Sequence, residues 1–233
     1  MTATGGARPV RQATPDRGGE WIAAGPFGAW LERALAALRG EAGMEVPCGG
    51  CVGCCTSSYF VRVRPEETRT LAVIPAGLLF DAPGEPPGDR LLPCARGGAC
   101  PMFDGAGCAI YADRPRACRE YDCRIFAAAG IDAGGADKAV INQRVRAWEF
   151  SYGSDAERAA HEAVKAAAAF VLAERASFPG GRAPTAPSDV AALALEVHPL
   201  FLDPAWRRRE PRALARAVVA RSRELRRAER RRQ

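Results

Sequence analysis

Cys48-Gly49-Gly50-Cys51-Val52-Gly53-Cys54-Cys55 compresses four thiols into one short knot, and Cys94, Cys100, Cys108, Cys118 and Cys123 answer it downstream. All nine cysteines of the 233-residue chain lie in this region. Zinc and iron–sulfur centres need deprotonated thiolates converging from several directions, typically about four per metal or cluster. C-x2-C spacing suits them because a tight turn brings both sulfurs to one point, and Gly49, Gly50 and Gly53 allow the positive φ angles and close backbone approach such a turn uses. Neighbouring side chains point in different directions, so Cys54 and Cys55 are expected to face different centres, or one of them to act as a supporting or reactive thiol. That favours two metal positions or a bridged cluster over a single tetrahedral zinc. The ferredoxin run C-x2-C-x2-C-x3-C-P is not met, because the fourth cysteine follows at once.

The downstream segment reads as loop, Asp113 cap, then helix from about Pro115. On a regular helix Cys118 and Cys123 stand about 140° apart around the axis. They either serve different centres or the helix breaks between them. Arg114, Arg116, Arg119 and Arg124 supply positive charge beside buried thiolates, with Arg114 and Arg119 the foremost candidates for neutralising them.

The knot, together with Cys100-Pro101-Met102-Phe103-Asp104 and Gly107-Cys108-x-Ile110-Tyr111-x2-Arg114-Pro115-x2-Cys118-Arg119-x-Tyr121, resembles the YkgJ-type cysteine-cluster family, described as zinc- or iron-chelating. The resemblance covers about residues 46–126. It implies a metal-chelating role for Cys48, Cys51, Cys54, Cys55, Cys100, Cys108 and Cys118, with Cys123 as an eighth position and Cys94 outside the core motif. The implied cofactor is iron, including an iron–sulfur cluster, or zinc.

Composition points the same way. The N-terminus has no basic segment followed by an apolar one, so no secretory signal is read and a cytoplasmic location is expected. In a reducing cytosol a dense cysteine set reads as metal-binding or catalytic rather than as a disulfide framework, and an odd number leaves one thiol unpaired in any all-disulfide scheme. No apolar run approaches bilayer length, so no membrane partner is expected. The net charge is +6, yet residues 205–233 hold 12 Arg against 3 Glu, which leaves the rest of the chain at −3. The basic character belongs to a tail.

The expected fold is mainly α, with a small irregular cysteine-rich metal module and at most a short strand or hairpin. Residues 1–20 read as a disordered arm, 26–130 as the metal-binding module, 136–202 as a helical region packing on it, and 203–233 as a basic helix or tail. Trp30, Leu31, Leu35 and Leu38 predict a helix over 26–39 ended by Gly40. Tyr59 to Arg64 predicts a strand, Pro65 to Ala72 a brief helix, and 81–89 a turn-rich loop. A helix capped by Asp137 is predicted to run to Trp148 on an apolar stripe. Ser154-Asp155-Ala156-Glu157 is a capping box for a helix to about Arg175, 177–188 a linker, and Asp203-Pro204 the opening of the tail helix.

Neither a phosphate-binding loop nor a dinucleotide fingerprint is present. Glu157 and His161 share a helix face and read as a surface pair, and His198 as structural. The arginine-rich tail suits an acidic protein or a phosphate backbone, while Leu214, Val218 and Leu225 form a stripe that would dock it on its own domain. Two functions are therefore carried forward. One is a metal-binding protein, with a redox or protein- or peptide-modifying activity in which Tyr111, Arg114 or Tyr121 would flank the metal. The other is a structural zinc module that presents the basic tail to a protein or nucleic acid.

Overall fold

The structure, a computed structural model, describes residues 21–41, 43–44, 46 and 50–231. The expected arm at 1–20 and the candidate ligand Cys48 lie outside the described residues. Strand β1 (Ile22–Pro26) leads directly into α1 (Phe27–Leu38). Phe27, Trp30, Leu31 and Ala34 recur at helical spacing and are the residues α1 buries. Gly40, at φ +70, ends the helix: its N–H bonds the Ala37 carbonyl while Glu41 N–H reaches the Ala36 carbonyl. This is the paired C-terminal arrangement that satisfies two orphan carbonyls and favours glycine.

The thiol-bearing stretch follows with β2 (Val61–Val63), α2 (Thr68–Val73), β3 (Phe80–Asp81), β4 (Arg90–Leu92), α3 (Arg116–Glu120) and α4 (Arg124–Ala129). β2, β4 and β3 form an antiparallel sheet in that order, over a small cluster of Val63, Ile74, Leu79 and Leu92 against which Cys100, Met102 and Ile110 pack. The loop expected over 81–89 is the connection of a β3–β4 hairpin, closed by Ala82 N–H on the Asp89 carbonyl.

The rest of the chain is α5 (Ala139–Ala147), β5 (Trp148–Ser151), α6 (Asp155–Ala173), α7 (Pro187–Val197) and α8 (Pro211–Arg230). One continuous apolar cluster runs from α1 and α4 through α5 and β5 to α6, α7 and α8. Its alanines, among them Ala167, Ala168, Ala191 and Ala194, are fully buried and let the helices approach closely. Ser154 Oγ caps α6 by accepting Glu157 N–H at 3.2 Å, and the Glu157 carboxylate accepts Gly153 N–H at 2.9 Å.

A mainly helical chain is what the periodicity implied, but the strand content was under-read: the described residues hold five short strands in two sheets. β1 pairs with β5 in parallel, Ile22 opposite Trp148, with an irregularity at Ala23/Gly25 where Gly25 takes φ +92. Trp148, expected at the end of a helical stripe, opens a strand in which Trp148 and Phe150 are buried while Glu149 and Ser151 are exposed. The pairing is non-local, so no window of sequence displays it. α2 starts at Thr68 rather than Pro65, because Glu67 is engaged with the backbone as described below. Asp203 does cap, accepting Ala205 N–H at 2.8 Å, but the turn it opens is a 3-10 one, and the tail helix begins at Pro211. His161 is not a surface residue: it is 5% exposed, stacked on Phe27 at 4.3 Å and bonded to Tyr152 Oη at 2.7 Å.

Candidate metal centre

The knot turns on close contact. Gly53 N–H points to Cys51 Sγ at 3.4 Å, and Thr56 Oγ1 donates to the Val52 carbonyl at 3.1 Å. Gly53 itself has an ordinary helical φ of −53. A Cβ there would make ordinary van der Waals contact at 3.4 Å with both Cys51 Sγ and Ile141 Cα, so neither space nor dihedral freedom demands glycine at this position. Cys54, Cys55 and Thr56 then form one 3-10 turn. On leaving it, Ser58 takes φ +53, rare for a side-chain-bearing residue. That conformation is held by Ser58 N–H on the Gly98 carbonyl at 2.8 Å and by Lys138 Nζ, which donates to the Ser57 and Ser58 carbonyls.

The second half of the site is tied to the first through the backbone. Cys100 N–H donates to the Cys55 carbonyl at 2.7 Å. From there the chain folds back on itself, with Phe103 paired to Cys108 and Ala109 N–H on the Met102 carbonyl at 2.9 Å. The Asp104 carboxylate accepts Ala106 and Gly107 N–H, which holds this turn and lowers the carboxyl below its usual range. α3 brings in Cys118. Its start is pinned by Glu67, whose two carboxylate oxygens accept Arg64 N–H at 2.8 Å and Arg116 N–H at 2.5 Å, while Thr70 Oγ1 donates to the Asp113 carbonyl at 2.8 Å.

These contacts place Cys55, Cys100 and Cys108 within electrostatic reach of Cys118. Cys118, exposed as a residue but with its thiol densely surrounded, is pushed up to about 12, first by desolvation and then by Cys100, Cys55 and Cys108, against an opposing pull from Arg114. Cys100 is raised in the same way, by burial and by Cys108, despite an opposing backbone hydrogen bond at Met102. Cys54 and Cys123 both act on the Tyr59 and Tyr121 phenols. Those hydroxyls are 2.7 Å apart. Burial raises both phenols. Cys123 is 6% exposed, just before α4, and accepts the Trp148 indole N–H at 3.1 Å. The helix does break between Cys118 and Cys123, since α3 stops at Glu120 and Tyr121 is extended. Among the described residues Cys51 accepts Gly53 N–H at 3.4 Å, and nothing links Cys94 to the other thiols.

The arginines divide as well. Arg114 stacks on Tyr111 at 4.0 Å and donates to the Tyr111 carbonyl at 2.8 Å, and it is the one acting on the Cys118 thiol. Arg119, the other expected neutraliser, lies 4.0 Å from Glu67, and Arg116 pairs with Glu120 at 2.5 Å. Arg124 is 4% exposed, pairs with Asp122 and donates to the Ala24 carbonyl at 3.1 Å, while Asp122 also accepts the Trp30 indole N–H at 2.8 Å. Arg124, expected to supply charge beside the thiolates, is instead paired with Asp122, and neither Glu67 nor Asp122 carries a motif. No disulfide joins any two described cysteines.

An all-thiol set fits zinc or iron by donor chemistry, since both are held by thiolates. The fit shows in the Cys118 and Cys100 thiols, which are costly to ionise first through burial and then through neighbouring thiols, a cost that a cation among them would offset. Among the described residues, which exclude Cys48, no three His, Cys, Asp or Glu side chains already form a metal-holding group. The four thiols are close enough to interact without yet sharing one coordination point.

No curated protein and no solved structure matches the chain. A family model does: the resemblance read from the motif spacing holds, and residues 47–140 match the CxxCxxCC family, described as "Putative zinc- or iron-chelating domain".

Proposed function

We propose that this protein holds zinc or iron through Cys55, Cys100, Cys108 and Cys118, and that Cys54 and Cys123 stand outside this centre, on the far side of the adjacent Cys54–Cys55 pair. The observation that carries the reading is that the packing which buries the Cys118 thiol also sets Cys100, Cys55 and Cys108 within electrostatic reach of it. A bound zinc would supply charge and structural closure, and iron or an iron–sulfur cluster would add one-electron chemistry. The chain's own part is to gather the thiols from the 3-10 turn, the Cys100–Cys108 fold-back and α3, and to keep Arg114 beside them. A reducing compartment such as the cytoplasm maintains these thiols in the state a metal needs.

The full-length protein purified without oxygen and examined by elemental analysis, visible absorption and electron paramagnetic resonance identifies the metal. Cys108→Ser and Cys118→Ser are expected to lose it, while Cys123→Ser keeps the same metal-to-protein ratio. Full metal content in both Cys108→Ser and Cys118→Ser would sink the assignment. The alternative of a structural zinc module presenting a basic helix is supported by the way α8 buries Leu214, Ala215 and Val218 and leaves arginines outward. Colourless protein with zinc alone selects that version; an iron spectrum selects the redox one.

A further inference from the structure

α7 and α8 leave a groove of about 560 Å³ between them, away from the thiols. Asp189, Leu193 and Glu196 line it from α7, and Val219, Ser222, Arg223 and Arg226 from α8, each set recurring every three or four residues as one ridge of a helix does. The floor is apolar: Phe178 and Val218 are buried, and Leu193 and Val219 are half-buried. Arg182, Arg223 and Arg226 stand exposed at the rim, and among the described residues none of the three is ion-paired. By contrast Arg221, on the neighbouring face of α8, reaches Glu224 at 3.7 Å.

We infer that this groove receives an acidic amphipathic segment of a partner protein, its apolar side chains on the Phe178–Leu193–Val218–Val219 floor and its carboxylates on the three arginines. A groove between two helices with apolar anchors and a charged rim is the geometry that takes a helix laid lengthwise, and its volume lies in the range of sites that accept a few side chains. Charge decides the class of partner. Asp189 and Glu196 lie inside the groove, and Glu196 already accepts the Ser222 hydroxyl at 2.9 Å. A phosphate backbone tracking the groove would run over these carboxylates and find an apolar floor it cannot use, whereas a peptide can set apolar groups on the floor and direct its own carboxylates to the arginines. The inference is independent of the metal assignment, since no thiol lines the groove.

The test uses the full chain with its metal as purified. Its probes are a fluorescein-labelled acidic peptide, with Leu and Phe at helical spacing among Glu residues, and a labelled single-stranded oligonucleotide. The peptide is expected to bind more tightly than the oligonucleotide. Reversing two exposed charges in Arg223→Glu/Arg226→Glu should weaken peptide binding by about tenfold or more with unchanged metal content. Leu193→Ser should weaken it comparably through the floor, and should it fail to fold, the surface arginine variant still decides. Peptide affinity unchanged in Arg223→Glu/Arg226→Glu overturns the proposal, as does tighter binding of the oligonucleotide or no binding of either probe.

Discussion

In the helical body Trp30, Ile141, Val164, Val171, Leu195 and Leu214 are each no more than 2% exposed and belong to one apolar cluster, whereas the thiol-bearing segment has a cluster of its own formed by Val63, Ile74, Leu79 and Leu92. The segment makes up the difference with directional contacts: Glu67 on two backbone amides, Lys138 on two carbonyls, Asp104 on its own turn, and the paired tyrosines. Apolar burial is tolerant of small shifts and holds the body without help. The thiol-bearing loops rest on hydrogen bonds with little apolar core behind them. The difference teaches where metal should matter: removing it should loosen residues 50–123 in hydrogen exchange while α6, α7 and α8 stay protected.

The joint between the two regions is the Asp122–Arg124 pair, which links α1 through Trp30 and β1 through the Ala24 carbonyl. Asp122→Ala leaves a buried guanidinium without its carboxylate, and denaturant unfolding should show a loss of about 3–5 kcal/mol. A smaller loss would mean that the regions are joined mainly by apolar contact.

Acid should act on the body through His161. Burial, and secondarily Lys165, lowers it to about 4, against the opposing influence of Glu162 and the backbone at Ala127 and Ala128. Tyr152 is its hydrogen-bond partner and Phe27 and Phe150 flank its ring. Below pH 6.5 the unfolded chain protonates this imidazole and the native core does not until about pH 4. Unfolding then takes up a proton, so stability is lost as the pH falls through that window, by about 3 kcal/mol once both limits are passed. His161→Phe should flatten the slope of stability against pH over the same interval; an unchanged slope would locate the acid sensitivity elsewhere.

Gly98 tests the segment's reliance on tight turns. It sits at φ +86, and an added Cβ would meet Ser58 Oγ at 2.3 Å. Gly98→Ala should cost about 1–2 kcal/mol and reduce metal retention, since the same strand of contacts positions Cys100 against Cys55. Smallest is Ser154→Ala, which removes the α6 cap at a cost of about 1 kcal/mol. Metal content there should not change.

Much of the helical body was legible because its signals are local. The 26–39 helix and its Gly40 stop, the Ser154 cap and the Leu214–Val218 face of α8 all follow from spacing and capping chemistry. α7 opens at Pro187, inside the expected 177–188 linker, with no side-chain cap to mark its start. The β1–β5 pair was hidden for a stronger reason: its strands are brief and the partners lie on opposite sides of the whole thiol-bearing segment.

What the sequence determined by itself is the chemistry of the site: a concentration of thiols with glycine at its turns, in a spacing that the CxxCxxCC family shares over residues 47–140. Residue type and short-range spacing are written in the chain directly. The tertiary structure alone decided the company each side chain keeps. It brought Cys118 within reach of Cys55, Cys100 and Cys108, and Tyr121 within reach of Cys54 and Cys123; it turned Arg119 toward Glu67, buried His161, and left Arg182, Arg223 and Arg226 along one groove. Those outcomes depend on which distant surfaces meet, because burial and Coulomb interaction are set by distance in space and not by separation along the chain.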